Sequence, residues 1–457
     1  MAFWKEEQPS QQVPSVTPPA PASQPSMAPS PEENTGPSFE ERFNQLMKNA
    51  ARTPAIDLAI QISDLIMEQA VQERASDVHL EYQGTALRVR FRIDGTLQDV
   101  ANITSNDKLP ISQRIRVLAG FDPESAAKFQ MEEGRFQKII AGRRIQLRVS
   151  TFPTVNGEKL VLRILDRTQM GLDIDQLGMT KEDMDTLNRV ANNPYGIFYV
   201  TGATGSGKTT TLYALLKLRN TPMVNIISLE DPVEYRLEGI NQAQISSKTG
   251  FGWKEGLMTV LRQDPDIVMV GEIRDNSSAE ITMRAALTGH LIFTTMHTIS
   301  APGVVERLFE MGTPHYLIAS SMLGGMSQRL VRRICPHCAQ NAAPPSEQAV
   351  NEFVEGIDPV EAKLIKEIIF RPGATFKLEK GCPKCRNTGY LGRTGIFEIM
   401  IMNEELRKKV LEHSPTDDLK RVAVQSGMKT LLMDGIYKAS CGVTTIGEVL
   451  RVTATMS

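Results

Sequence analysis

The sequence predicts an α/β protein in which a parallel sheet covered by helices follows a smaller α+β domain. Apolar runs at Gly196 to Val200, Val224 to Leu229, Ile267 to Val270 and Leu291 to Thr295 alternate with helical patterns, as strands buried on both faces and joined by crossover helices require. The first run leads into Gly202-Ala203-Thr204-Gly205-Ser206-Gly207-Lys208-Thr209 and then a helical stretch from Thr210 to Leu218. Upstream, Ala86 to Ile93 alternates with a period of two, setting Leu87, Val89, Phe91 and Ile93 against Arg88, Arg90 and Arg92. A strand with one buried face must read this way.

Composition bounds the possibilities. The 457 residues suffice for two or three domains with their own cores, and 41% hydrophobic with 23% charged residues is ordinary for a globular chain. A net charge of -2 gives no general affinity for nucleic acid, and no direct nucleic-acid partner is expected. The first residues, Met1 to Gln8, carry two glutamates and no apolar core, which excludes an ordinary signal peptide, and no apolar run approaches the roughly 18 to 20 residues that span a bilayer. A cytoplasmic location is expected.

From Pro9 to Pro37 the chain is dense in proline, serine, glutamine and alanine, with no leucine, isoleucine or aromatic residue. Such a segment cannot bury enough apolar surface to offset the entropy of ordering. Residues 1–50 are read as a disordered Pro-rich arm, with folded sequence starting near Phe39. After Pro54, residues Ile56, Ala59, Ile60, Ser63, Ile66, Met67 and Ala70 recur at helical spacing. Asp94-Gly95 turns the alternating strand back, another basic strand pair surrounds Ala141-Gly142-Arg143-Arg144, and Lys159 to Leu165 reads as a further strand. Residues 51–170 are therefore predicted to form the α+β domain. Three arginines on one strand face repel unless water or something negative lies opposite; a solvated face and a face against a nucleotide or an acidic surface both satisfy this.

The second domain spans residues 171–457, with helical Lys181 to Ala191 leading to the first buried strand. In parallel sheets ligands bind at the carboxyl ends of the strands. There Gly202, Ala203, Thr204, Gly205, Ser206 and Gly207 form a loop that turns its N–H groups inward, ahead of a helix N-terminus opened by Lys208, Thr209 and Thr210. This cradles a string of phosphates, with Lys208 reaching the β- and γ-phosphates and Thr209 ligating Mg²⁺. The neighbouring strand ends deliver Glu230-Asp231-Pro232-Val233-Glu234, Gly271-Glu272-Ile273-Arg274-Asp275 and Thr294-Thr295-Met296-His297. Phosphoanhydride hydrolysis needs a bound Mg²⁺, an oriented water and positive charge on the transition state. Glu272 stands where an acid would hold Mg²⁺, Glu234 is the candidate for orienting water ahead of Glu230 and Asp231, and His297 is placed to sense the γ-phosphate. His290 reads as structural.

Four of the five cysteines fall in two pairs, Cys335-Pro336-His337-Cys338 and Cys382-Pro383-Lys384-Cys385. Two such pairs bring four thiolates into a closed tetrahedral site suited to structural Zn²⁺, with a looped-out insertion between them. The inserted zinc-binding lobe is set at 330–400, followed by a C-terminal helical part at 401–457. Cys441 reads as a core residue.

These residues together resemble the secretion ATPase superfamily, in particular type II secretion and type IV pilus assembly ATPases. The likeness rests on Arg74-Ala75-Ser76-Asp77-Val78-His79, the phosphate loop, Leu229 to Glu234, Asp264-Pro265-Asp266 with Gly271 to Asp275, Thr288-Gly289-His290 with Met296-His297-Thr298, and Gly389-Tyr390-Leu391-Gly392-Arg393-Thr394-Gly395. It covers roughly residues 55 to 455, and several motifs in the right order are far more specific than one loop. The resemblance implies a RecA-like ATP-hydrolysing domain in a homo-hexameric ring, peripheral to the inner membrane through a platform protein that moves pilin-like subunits. It also implies Glu234, in the Asp box, as the catalytic glutamate, Glu272 as the Walker-B acid, His297 in the His box, and arginines of the first domain near the nucleotide. Arg88, Arg90 and Arg92 fit that role, with Arg262 and Arg274 as further candidates. Pilus retraction and DNA uptake are neighbouring functions within the superfamily, and a nucleic-acid translocase is the alternative of another class.

Overall fold

The computed structural model describes residues 39–104, 110–122, 131–166, 173–246 and 250–454. The proline-rich stretch Pro9 to Pro37, read as a disordered arm, lies outside these residues. The first domain is built on a six-stranded antiparallel sheet of β1 (Asp77–Gln83), β2 (Ala86–Ile93), β3 (Thr96–Thr104), β4 (Glu133–Ile140), β5 (Arg143–Thr154) and β6 (Gly157–Asp166), in the order β3-β2-β1-β6-β5-β4. Leu87, Val89 and Phe91 face the core while Arg88, Arg90 and Arg92 stay half-buried on the opposite face. The turn between β4 and β5 uses Ala141 and Gly142, both at positive φ, which lets two strands reverse with their twist intact.

One helix, Ala55–Gln72, covers the apolar face with Leu58, Ala59, Ile62, Ile66, Met67 and Ala70, at spacings of three and four. Each leucine or isoleucine so buried contributes about 1.5–3 kcal/mol, and the helix Ile111–Ala119 adds Ile111 and Ile115 to the same core, so the two helices together close the domain. The fold begins ahead of residue 51. The helix Phe39–Lys48 packs Phe39, Phe43, Leu46 and Met47 against the same core, and Arg42 pairs with Glu68 at 2.6 Å. Folded sequence thus starts at Phe39, as expected, and ahead of the domain boundary set at residue 51.

The second domain holds a seven-stranded sheet. Its strands are β7 (Gly196–Thr201), β8 (Ile226–Glu230), β9 (Asn241–Gln244), β10 (Ile267–Val270), β11 (Leu291–Met296) and β12 (Met322–Ile334), with β15 (Tyr390–Ile401) at one edge, in the order β15-β12-β7-β11-β10-β8-β9. All neighbours are parallel except β15, which runs antiparallel to β12. Every residue of β7, β8, β10 and β11 is buried. Ile197, Tyr199, Val268 and Ile292 enter one core, and Phe198, Val200, Met269 and Phe293 enter the other. This two-sided burial is why the strands read as unbroken apolar runs.

The long strands β12 and β15 belong to the main sheet, so the lobe proper is the segment 335–389 between them rather than 330–400. It contains β13 (Gln340–Ala342) paired with β14 (Phe376–Leu378) and the helices Glu347–Phe353 and Pro359–Ile369. Its apolar residues Val350, Ile365, Ile369 and Phe376 share a core with Met433, Ile436 and Val449 of the C-terminal helices Leu431–Ala439 and Ile446–Thr453. Cys441 is exposed rather than core; its thiol accepts from Arg371 Nη2 at 2.9 Å.

Candidate functional site

The loop after β7 is shaped by its glycines. Gly202, Gly205 and Gly207 have φ of +144°, +77° and +92°, and a Cβ on Gly202 would collide with the Gln328 carbonyl and the Ser206 hydroxyl. Gln328 on β12 braces the loop: its Nε2 donates to the Ser206 carbonyl at 2.6 Å and its Oε1 accepts from Thr211 at 2.8 Å. Ser206 is buried while Ala203, Thr204 and Gly205 are exposed at the loop crest. Gly207 caps the helix Lys208–Arg219, so Lys208, Thr209 and Thr210 form its first turn. Lys208 Nζ donates to the carbonyls of Gly202 at 2.8 Å and Ala203 at 3.2 Å. Burial pulls this ammonium below its ordinary value; Glu272 counters the effect and Arg329 adds to it.

The strand ends converge beside this loop. Glu272 follows β10, pairs with Arg274, and lies 3.4 Å from His297 Nε2 at the end of β11. Below them Thr201 locks β7 to the chain after β11, accepting from the Thr298 N–H at 2.7 Å. Asp275 caps the next helix through Ser278 N–H at 2.9 Å. Arg262 is exposed after the helix Trp253–Val260. His290 Nδ1 meets the Ala285 carbonyl at 2.9 Å, a local helix-end contact. Glu230 is 2% exposed and is held by the hydroxyls of Tyr213 and Ser228 and the amide of Gln242; it is a buried structural acid.

Glu234 meets the first domain. Its Oε2 accepts from Arg148 Nη2 of β5 at 3.1 Å. Arg148 belongs to a cross-strand row in which Arg135, Arg148, Arg163, Asp77 and Arg92 lie in register on β4, β5, β6, β1 and β2. Neighbouring arginines repel, and Asp77 relieves one side of the row through Arg163 at 3.0 Å and Arg92 at 3.7 Å. At the other side the carboxylate is Glu234. Arg88 and Arg90 are held within the first domain, Arg88 by Asp99 at 2.5 Å and Arg90 by Glu81 at 2.8 Å. Arg148 and Arg163 were missed because each stands on a separate strand; only the register places them in one row.

The four lobe cysteines come together. Their Sγ atoms all lie within 4.8 Å of one another, with Cys335 to Cys382 at 3.9 Å, Cys338 to Cys385 at 3.8 Å and Cys382 to Cys385 at 3.7 Å. Four sulfurs at about 2.3 Å from one tetrahedral ion stand about 3.8 Å apart, so the set fits such a metal. Burial pushes the Cys335 thiol up to about 12. At Cys385 burial acts the same way, but N–H groups of Cys382 and Gly389, each 3.2 Å from the sulfur, bring it down to about 7. Donors aimed at sulfur stabilise a thiolate, the form that binds metal.

The family model described as Type II/IV secretion system protein matches residues 55–451. The chain belongs to this family. Type II secretion system protein E of Pseudomonas aeruginosa is 42% identical over 394 residues, covering 86% of this chain and 75% of that relative. Its counterpart in Xanthomonas campestris pv. campestris is 41% identical over 418 residues, 91% of this chain and 70% of the relative. The type II secretion system ATPase E of Vibrio cholerae is 39% identical over 394 residues, with 86% and 75% covered. Among solved structures, the Legionella pneumophila ATPase DotB superposes with a TM-score of 0.62 at 18% identity, covering 86% of this chain and 95% of that one. The pilus retraction motor PilT with bound ADP gives 0.56 at 22%, covering 85% and 96%. At these identities the structural likeness establishes the shared α/β fold. Among the described residues of this family member, no helix is long and apolar enough to cross a membrane.

Proposed function

We propose that the chain works as a homo-hexameric ring at the cytoplasmic face of the inner membrane, turning ATP hydrolysis into domain motion that a platform protein uses to assemble a pilus or a secretion pseudopilus. The chain is an ATPase of the class that drives secretion or pilus assembly. The observation that carries the coupling is the contact of Arg148 with Glu234: an arginine of the first domain touches the carboxylate assigned to orient water in the second. Movement of one domain against the other therefore changes the electrostatics around the γ-phosphate.

The P-loop N–H groups and Lys208 hold the phosphates, Glu234 orients the attacking water, and His297 monitors the γ-phosphate from beside Glu272. Thr209 and Glu272 would hold Mg²⁺, which would supply charge neutralisation on the phosphates. Arg148 and Arg163 offer positive charge from the first domain, with Arg92, Arg262 and Arg274 as further candidates in a ring, whereas Arg88 and Arg90 are engaged by Asp99 and Glu81 within their own domain. The four cysteines would hold Zn²⁺ as thiolates, which would supply a rigid cross-link for the lobe. The near-neutral charge disfavours a nucleic-acid translocase.

The test is phosphate release from Mg-ATP by the full chain and by Lys208→Ala. Turnover by the parent and loss in the variant support the reading; equal turnover in both places the activity elsewhere.

A further inference from the structure

We propose that Gln242, with Gln244 beside it, is a positioning residue that ties the loop bearing Glu234 to the helix that follows the phosphate loop. The inference rests on the assignment of Glu234 as the water-orienting carboxylate. β9 is the edge strand next to β8, and its register sets Gln242 opposite Ser228 and Gln244 opposite Glu230. Residues two apart on a strand share a face, so both glutamines serve the same side.

That side is the loop from residue 231 to 237. Gln242 Oε1 accepts from the Leu237 N–H at 2.7 Å, and its Nε2 lies 3.1 Å from the Tyr235 carbonyl, 3.1 Å from the Glu230 carboxylate and 3.3 Å from the Tyr213 hydroxyl. Gln244 Oε1 accepts from the Val233 N–H at 3.3 Å. Glu234 thus sits between two residues, Val233 and Tyr235, each fastened to a glutamine of β9. Glu234 itself makes no bond to either glutamine among those described, so the clamp acts on its backbone.

The other end of the network is the helix Lys208–Arg219. Tyr213 on that helix donates to Glu230 and packs edge-on against Tyr235, with ring centroids 4.7 Å apart. Glu230 is buried and also accepts from Ser228 at 2.6 Å. A contiguous polar path runs from the phosphate-binding helix through Tyr213, Glu230 and Gln242 to the backbone on either side of Glu234. Removing the amide of Gln242 leaves Glu230 without one donor and Leu237 N–H without its acceptor, inside a site where unmade bonds are costly. The loop then relaxes, and a small misplacement of the carboxylate slows chemistry without weakening phosphate binding.

The experiment uses the full chain and measures kcat for ATP and the affinity for a non-hydrolysable ATP analogue in Gln242→Leu, Gln244→Ala, Glu234→Gln and the Gln242→Leu/Glu234→Gln double variant. Gln242→Leu is expected to lower kcat about tenfold or more while analogue affinity stays within about twofold. In the Glu234→Gln background it is expected to add nothing, because the clamp works through Glu234. Unchanged kcat in Gln242→Leu, or a full further loss in the double variant, overturns the inference. Gln244 is exposed and its replacement does not threaten folding. If Gln242→Leu fails to fold or to bind the analogue, Gln244→Ala decides: a two- to fivefold loss of kcat supports the clamp, and parental kcat overturns it. Parental turnover in Glu234→Gln would overturn the assignment of Glu234 and the inference with it, whereas an inactive Glu234→Gln beside a fully active Gln242→Leu removes the inference alone.

Discussion

Strands β2 and β5 lie in one sheet and both present arginines on its polar face, yet those arginines end against different partners. Arg88 and Arg90 of β2 reach Asp99 and Glu81, carboxylates on the strands directly beside them. Arg148 of β5 has Arg135 and Arg163 as its cross-strand neighbours, and it reaches Glu234 of the ATP-binding domain, 86 residues away in sequence. Adjacent carboxylates neutralise β2 within its own domain. At Arg148 both cross-strand partners are arginines, and the anion it meets, Glu234, lies across the domain boundary. The location of acids on neighbouring strands, more than the count of arginines, separates a strand that stabilises its domain from one that serves the site.

The largest effect expected from this contrast falls on Glu234. Glu234→Gln keeps the shape and removes the charge; kcat for ATP is expected to fall by about 10³ or more, with analogue binding retained, as measured by phosphate release and equilibrium titration. A fall of less than tenfold would transfer the water-orienting role to another group.

A smaller effect belongs to stability on the β2 side. Burial opposes ionisation of Glu81, but Arg90 and Lys159, each at 2.8 Å, outweigh it and hold the carboxyl down at about 2. A depressed carboxyl contributes stability that is fully present above the ordinary value near 4.5 and is lost as pH falls through the native value near 2. The contribution is at most about 3 kcal/mol above pH 5. Glu81→Gln is expected to flatten the loss of stability between pH 4.5 and 2 seen by chemical denaturation; an unchanged slope would mean that the pair contributes nothing.

The smallest effect is expected at Asp99, whose side chain is 63% exposed. Exposed pairs are screened by solvent, so Asp99→Asn should move the melting temperature by less than about 2 °C and leave ATP turnover unchanged. A turnover loss there would show that Arg88 needs Asp99 to face the nucleotide.

Much of the second domain was legible because its signals are local. The phosphate loop, Glu272 after its apolar strand and the paired cysteines are each written in a few consecutive residues, and β10 was read with its observed limits Ile267–Val270. What escaped depends on separation in the chain. The row containing Arg148 and Arg163 requires the strand order β6-β5-β4 and its register, neither of which a periodicity reveals. The brace from Gln328 to the phosphate loop joins residues 122 apart. The lobe boundary moved because β12 and β15 continue into the main sheet, where their apolar residues Met326, Ile396, Phe397 and Met400 are buried. Glu230 illustrates the opposite limit: it stands beside Glu234 in the same strand-end segment, and only the hydroxyls of Tyr213 and Ser228 mark it as structural.

The most direct test of the link between the domains compares Arg148→Ala with Arg90→Ala in the full chain, with kcat for ATP and analogue affinity measured side by side. The account expects Arg148→Ala to lose about 10² or more in kcat and Arg90→Ala to stay within about threefold, both binding the analogue normally. Equal losses in the two variants, or a larger loss in Arg90→Ala, would contradict it and return the catalytic arginine to β2.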